Sequence, residues 1–132
     1  MASGAFERGR EGEEAASRHL AECGWTILAR NWRDGPRELD IVASRGPVLA
    51  FVEVKTRGLS AHGSPLDSIT CRKRREVERA ASAWLRAARD RLVPPDGERT
   101  TFVRFDAVVV CLDDPAGPRV AHLPDAWRPG WM

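Results

Sequence analysis

Two short apolar segments that each contain an acidic residue constrain this chain more than any other part of it. Leu39–Ala43 contains Asp40, and Val48–Val54 contains Glu53 and precedes Lys55. A Gly-Pro turn signal separates the segments, so they are predicted to form neighbouring strands. Burying a charge is unfavourable unless the charge is paired or binds a metal ion. The three charged residues therefore require a structural or functional explanation.

Side chains alternate between the two faces of a strand. Glu53 and Lys55 are therefore predicted to share one face with Phe51, whereas Val52 and Val54 take the other. One interpretation is a pair of edge strands that carry a solvent-exposed Glu53–Lys55 ion pair.

The other interpretation is a metal-dependent nuclease centre, and the acid on the preceding strand favours it. Asp40 and Glu53 supply the hard oxygen ligands that Mg²⁺ or Mn²⁺ binds, and the Val54 carbonyl offers a third. Such a cation polarises a phosphodiester and lowers the pKa of a bound water. Lys55 would orient that water or stabilise negative charge in the transition state. Lys55 and Lys73 are the only lysines among the 21 basic residues, which suggests that a compact, titratable cation is needed here.

The length of 132 residues predicts a single domain spanning the whole chain, with residues 1–9 and 124–132 irregular. The net charge of +2 provides no overall attraction to nucleic acid, so any basic surface must be local. The three cysteines are too far apart for a zinc motif or a disulfide framework. No apolar run is long enough to span a membrane and no signal peptide is evident, so we expect a cytoplasmic protein.

Hydrophobic periodicity and turn residues predict alternating helices and strands. The predicted helices are about Arg10–Cys23, a single turn at Ser64-Pro65, and Thr70 to about Asp90. The predicted strands are Trp25–Trp32, the two segments described above, Thr101–Leu112 and Val120–Leu123. A polar connection at Asn31–Arg37 and a mobile loop at Arg57–Gly63 complete the pattern. Asp106 either supports the site or pairs with Arg104, and the structural role is favoured. Trp127 and Trp131 either stack on bases or close over the core, and the second is favoured.

Glu13 lies on the predicted buried side of the first helix, at i−3 from Ala16 and i−7 from Leu20. It is either an acid favoured by the helix dipole or, if the helix packs beside the Asp40 strand, a member of the acidic cluster.

Basic residues flank the predicted site on both sides in sequence. Arg33 and Arg57 lie close to the acidic strands, and Lys73 belongs to the densest basic run of the chain, Arg72–Arg75. These residues would hold the phosphates of a nucleic-acid backbone. A solvated surface that neutralises neighbouring acids is the alternative.

The order of elements and several motifs resemble the PD-(D/E)xK restriction-endonuclease-like superfamily. Within it, the chain resembles the YraN family of small bacterial proteins, which are similar to archaeal Holliday-junction resolvases. The resemblance covers nearly the whole chain, and its motifs are Gly9-Arg10-x-Gly12-Glu13-x-x-Ala16, Gly24-Trp25, Asn31-Trp32-Arg33, Glu38-Leu39-Asp40-Ile41-Val42, Phe51-Val52-Glu53-Val54-Lys55-Thr56-Arg57, Lys73, Ala80–Leu85 and Arg104-Phe105-Asp106. One position departs from the pattern, because Arg37 stands where the family usually has glycine.

The resemblance implies an α/β fold with a mixed β-sheet flanked by helices. Asp40, Glu53 and Lys55 match the superfamily's metal-binding and catalytic positions, and Glu13 matches a helix-borne acid of the resolvase-like branch. The expected function is an Mg²⁺- or Mn²⁺-dependent endonuclease acting on DNA, with a two-fold dimer as the expected assembly. The alternative is a non-catalytic nucleic-acid-binding or protein-interaction module with the same fold.

Overall fold

A computed structural model describes residues 3–60, 62–88 and 102–130, with side chains from Glu7 onward. The elements follow one another in a mixed α/β order. They are α1 (Ser3–Glu22), β1 (Thr26–Asp34), β2 (Arg37–Arg45), β3 (Val48–Arg57), a 3₁₀ turn (Pro65–Ser68), α2 (Cys71–Ala87), β4 (Phe102–Cys111) and β5 (Arg119–Trp127). No helix in these residues is both long and apolar enough to cross a membrane.

The five strands form one sheet in chain order, β1-β2-β3-β4-β5. β1, β2 and β3 pair antiparallel, β3 and β4 pair parallel, and β5 returns antiparallel to β4. The parallel step requires a crossover, which contains α2. The sheet is thus mixed and flanked by helices, as predicted, and β3 is its central strand.

Each helix covers one face of the sheet. Ala16 and Leu20 of α1 pack on Ile41, Val52 and Val108. On the other face, the buried residues of α2 pack on the sheet. They are Val77, Ala80, Ala81 and Trp84, and their neighbours on the sheet are Leu39, Val42, Leu49, Phe51 and Phe105. The assignment of Phe51 to one face of β3 and of Val52 and Val54 to the other is therefore confirmed.

The helix caps form as the sequence predicts. Ser64 caps the 3₁₀ turn with Pro65 in its first turn. The Thr70 hydroxyl accepts the Lys73 N–H at 3.1 Å and starts α2. This cap fixes the direction in which the basic first turn of α2 leaves the loop.

Three predicted boundaries are wrong. The connection predicted at Asn31–Arg37 is shorter, because β1 continues to Asp34 and β2 begins at Arg37. α1 begins at Ser3 rather than near Arg10, because the small residues of the N-terminal segment continue the helix. β5 extends to Trp127 through residues predicted to be irregular, with a register shift that accommodates Asp125 at a φ of 52°. The last two residues of the predicted α2 helix, Thr101 of the predicted fourth strand and Trp131 lie outside the described residues.

Asp106 has the structural role predicted for it. Its side chain is fully buried and accepts two hydrogen bonds from Arg104, each of 2.8 Å. His122 Nε2 lies 2.7 Å from one carboxylate oxygen, and the Asp125 N–H donates to the other at 3.0 Å. Although burial raises the pKa of Asp106, the bonds from His122 and Arg104 outweigh it and lower the pKa below the usual value. A fully paired carboxylate of this kind joins β4 to β5.

Gly12 sets the distance between α1 and the sheet. A Cβ at this position would collide with Oγ1 of Thr56 on β3. Glycine therefore allows α1 to approach the end of β3 closely, and the next residue, Glu13, is held near the sheet by this contact.

Replacing Gly12→Ala should lower the free energy of unfolding by about 1–3 kcal/mol, because the added methyl group forces the helix from the sheet. Alanine is intrinsically the better helix former by about 1 kcal/mol. A loss of stability in the variant would therefore show that the packing clash outweighs helix propensity, and a gain would show the reverse. Urea unfolding measures the change. The double variant Gly12→Ala/Thr56→Ala should recover the loss, and equal stability of wild type and Gly12→Ala would contradict the close approach.

Candidate metal centre

The site begins where β2 and β3 separate. Their backbone pairing runs from Arg45↔Val48 to Ile41↔Val52 and does not continue to Asp40. Instead, Oδ2 of Asp40 accepts the Val54 N–H at 2.9 Å. A side chain thus replaces the next bond of the ladder and holds Asp40 between the two strands.

β2 is irregular at this point. Leu39 and Val42 both contact the core cluster beneath α2, whereas Ile41 contacts the cluster beneath α1. In a regular strand, residues three apart would lie on opposite faces. Asp40 therefore does not follow the regular alternation of side chains between the two faces of β2.

Three carboxylates from α1 and β2 converge beside the point where β2 and β3 separate. One oxygen each from Glu13, Glu38 and Asp40 lie within 4.8 Å of one another. Of the two alternatives that the sequence left open for Glu13, the structure shows the one in which α1 brings it to the acidic strand, and Glu38 of β2 lies in the same group. Burial, followed by the charge of Asp40, raises the pKa of Glu13.

Asn31 belongs to this site, and the sequence interpretation missed it. Its side chain hydrogen-bonds to Glu13, which partly offsets the rise in the pKa of that carboxyl. The Asn31 backbone has a φ of 51°, although the residue lies within β1. Asparagine adopts such a conformation more readily than most residues, so an asparagine inside an otherwise regular strand was the signal available.

Glu53 is the most unusual side chain of the site. This side chain is only 7% exposed, and its Oε1 lies 3.4 Å from the Lys73 ammonium. Its Oε2 is buried and meets no N–H or hydroxyl donor of the described residues, whereas a proton shared between the two carboxyls links Glu53 to Asp40. A buried oxygen without a partner is unfavourable by about 1–3 kcal/mol and requires a reason in a native fold.

Both central carboxyls have raised pKa values. Burial, then repulsion from Asp40, raises the pKa of Glu53 to about 8, even though Lys73 opposes the shift. Burial also raises the pKa of Asp40, despite the hydrogen bond from Val54. The pair therefore keeps a proton to near-neutral pH in the absence of a cation, and the remaining negative charge faces Lys73.

Lys55 lies at the end of β3 with its side chain half-buried. Its ammonium has no ion-pair partner among the residues that the structure describes. It lines an open cleft of about 510 Å³ together with Glu13, Val54 and Arg57. A second cleft, of about 600 Å³, borders Glu13 on the side of Arg30 and Asn31.

The predicted phosphate-binding residues have partners of their own. Arg33 pairs with Glu38 at 3.2 Å but remains 69% exposed. Arg57 donates to the carbonyls of His62 and Gly63, which ties the loop after β3 to the site. The structure brings Lys73 to Glu53 and places Arg33 on the Glu38 side of the cluster.

Arg37, the position that departs from the family pattern, has a structural partner. Its Nε donates to Glu76 of α2 at 3.1 Å. Asp34 lies 3.9 Å away on the same hairpin. The arginine thus anchors the β1–β2 turn to α2 and leaves the carboxylate cluster unobstructed.

The donor set suits a hard divalent cation. Glu13, Glu38 and Asp40 supply carboxylate oxygens close enough to share one cation, and Glu53 is coupled to Asp40. Carboxylate oxygen is the ligand type that Mg²⁺ and Mn²⁺ prefer. A bound cation would give Oε2 of Glu53 a partner. It would also neutralise the repulsion between the neighbouring carboxylates. Asp40 is common to the cluster with Glu13 and Glu38 and to the pair with Glu53, so it is the carboxylate around which a cation would be held.

Comparison with known proteins identifies a family without an assigned activity. The model of the family described as "Uncharacterised protein family UPF0102" matches residues 12–110. The match includes the candidate acids, both lysines and the Arg104–Asp106 pair.

Curated relatives match over most of their length. A UPF0102 protein of Frankia alni is 45% identical over 90% of this chain and 92% of its own length. One of Acidothermus cellulolyticus is 44% identical over the same shares of the two chains. A UPF0102 protein of Rhodococcus jostii is 38% identical over 90% of this chain and 94% of its own.

The raised pKa of Glu53 predicts how stability depends on pH without metal. An unfolded glutamate titrates near 4.5 and the folded one near 8, so the folded state binds the proton more tightly. The free energy of unfolding should therefore fall as pH rises through this interval, by an amount on the order of 1–4 kcal/mol. Urea unfolding in EDTA at about pH 5 and about pH 9 measures it. Glu53→Gln should remove this contribution, and an unchanged pH dependence in the variant would contradict the assignment.

Proposed function

The chain belongs to the uncharacterised protein family UPF0102, and we propose that it is a divalent-metal-dependent endonuclease that hydrolyses phosphodiester bonds in DNA. The observation that carries the proposal is the buried carboxyl of Glu53 beside Asp40, because its Oε2 has no protein N–H or hydroxyl donor in the described residues and its hydrogen bond to Asp40 requires a shared proton. A carboxylate left in this state inside a sheet is expected at a site that binds a ligand.

Asp106 provides the comparison that supports this interpretation. Both Asp106 and Glu53 are buried acids on neighbouring strands, and Asp106 has its hydrogen bonds satisfied by protein groups. Its pKa is lowered, whereas that of Glu53 is raised to about 8. The same fold thus satisfies one buried carboxylate fully and leaves the other incomplete, which favours a functional role for Glu53.

In the proposed site, Asp40 and Glu53 hold Mg²⁺ or Mn²⁺, with the Val54 carbonyl as a third ligand and Glu13 in support. The cation, when bound, supplies Lewis-acid polarisation of the phosphodiester and a more acidic bound water. The bond between Asp40 and the Val54 N–H fixes the orientation of one carboxylate before any ligand arrives.

Lys55 is the proposed group that orients the attacking water and stabilises negative charge on the phosphate. Its position beside Glu13 in the cleft, and the absence of an ion-pair partner among the described residues, support this role. Arg57 lines the same cleft and would contact the neighbouring phosphate. Arg33, which pairs with Glu38, would contact the nucleic-acid backbone on the other side of the carboxylate cluster.

The resemblance to the PD-(D/E)xK superfamily supports the same proposal. The mixed sheet with its acid-bearing second and third strands is compatible with a restriction-endonuclease-like fold. Similarity to Holliday-junction resolvases makes branched DNA the first substrate to test, and a two-fold dimer the proposed active form.

Purified protein should cut DNA in the presence of Mg²⁺ or Mn²⁺ and not in EDTA. The assay uses linear duplex, single-stranded, flap and four-way-junction DNA, and the preferred shape identifies the substrate class. Glu53→Gln should reduce the rate by on the order of 10²-fold or more, and Glu13→Gln should also reduce it. Glu14→Gln is the matched control, because Glu14 neighbours Glu13 but pairs with Arg30 at 3.2 Å.

Equal cleavage by wild type and Glu53→Gln would identify a contaminating nuclease and contradict the proposal. Binding of DNA without cleavage of any substrate would favour the non-catalytic nucleic-acid-binding module instead. Neither binding nor cleavage would favour a protein-interaction module.

A further inference from the structure

Lys73 is the cation that reaches the carboxylate pair from α2. Its ammonium lies 3.4 Å from Oε1 of Glu53, and the Thr70 cap fixes the turn that carries it. The side chain is 47% exposed, whereas that of Glu53 is 7% exposed. The ammonium of Lys73 therefore contacts the carboxylate pair, while about half of the side chain remains accessible to solvent.

The neighbouring basic residues of α2 point to different roles. Arg74 donates to the Ile69 carbonyl at 3.0 Å and lies over the Trp127 ring. Arg72 and Arg75 are exposed. Within the run Arg72–Arg75, the ion pair with the candidate site belongs to Lys73.

The ammonium and a divalent cation compete for the same group. Glu53 offers Oε1 to Lys73 and has a buried Oε2 without a partner in the described residues. A cation bound between Asp40 and Glu53 would repel the ammonium and reduce the negative charge that attracts it. A lysine is suited to such an exchange, because its compact charge sits on a flexible stem and can be redirected without moving the helix.

We infer that Lys73 is a positioning residue that holds Glu53 in the metal-free protein and turns to a phosphate of the nucleic acid when metal is bound. This inference rests on the proposed function. It makes metal binding and nucleic-acid binding depend on each other through one side chain. By thermodynamic reciprocity, Lys73 should weaken metal binding in the free protein and strengthen DNA binding only in the metal-loaded protein.

The first test is titration of Mn²⁺ by calorimetry into wild type, Lys73→Gln and Arg72→Gln. Lys73→Gln should bind Mn²⁺ about 3–10-fold more tightly than wild type, because the competing cation is gone. Arg72→Gln is the matched control. It removes the same charge from the adjacent residue and should change the affinity by less than about twofold, since exposed charges are screened. Lys73→Arg keeps the charge and should remain close to wild type.

The second test measures binding of labelled four-way-junction and duplex DNA in Ca²⁺ and in EDTA by fluorescence anisotropy. Lys73→Gln should lose at least about fivefold in affinity in Ca²⁺ and less than about twofold in EDTA. Arg72→Gln should lose equally in both. Thermal melting in EDTA checks that Lys73→Gln is folded, and Lys73→Met, which keeps the length of the side chain, replaces it if it is not.

The outcomes separate the two proposals. If wild type binds Mn²⁺ and cuts DNA but Lys73→Gln binds Mn²⁺ no more tightly, the inference about Lys73 is wrong and the proposed function stands. An equal loss of DNA affinity in Ca²⁺ and EDTA would likewise overturn it. If wild type binds no Mn²⁺, the metal centre itself is wrong and the inference is overturned with it.

Discussion

The hydrogen bond from the Val54 amide to the Asp40 carboxylate is the contact on which the site depends. It takes the place of a rung in the β2–β3 ladder, so the two strands separate without leaving this amide unpaired. The separation interrupts the ladder beside the carboxylate pair, at the end of an otherwise apolar sheet. Without it, continued pairing would turn Glu53 and Asp40 into ordinary cross-strand neighbours.

Two further contacts bring the helices to this point. The close approach at Gly12 holds Glu13 against the end of β3. The Thr70 cap aims the first turn of α2 so that Lys73 reaches Glu53. Each helix thus contributes one charged side chain from its own face of the sheet, and both side chains meet the central acids. The hydrophobic core positions the elements, and these few polar contacts determine how the charges meet.

Much of this arrangement could be predicted from the sequence, because it follows from local patterns. Apolar alternation identified the strands, turn residues identified the hairpins, and the membership in UPF0102, a YraN-like family, confirms that part of the resemblance. Helical spacing placed Glu13 on the inner side of α1, but its convergence with Asp40 depended on where the helix packs on the sheet. The role of Asp106 followed from its spacing from Arg104, two residues away on one face.

The remaining features depend on contacts between distant residues. The irregularity of β2 at Asp40 and the left-handed conformation of Asn31 arise from strand pairing that no short window contains. Lys73 was expected to hold phosphate, and its contact with Glu53 depends on the crossing of α2 over the sheet. The early start of α1 was missed because small and polar residues are compatible with a helix but show no hydrophobic periodicity that would predict one.

The proposed binding of a divalent cation by the carboxylates of Asp40 and Glu53 can be tested by a crystal structure of the protein soaked in Mn²⁺, with anomalous scattering used to locate the metal. We expect a peak between the two carboxylates, with oxygen ligands at about 2.0–2.3 Å and the Lys73 ammonium moved away from Glu53. A structure with no peak at this position, and with the Glu53–Lys73 contact retained at saturating Mn²⁺, would contradict the proposal.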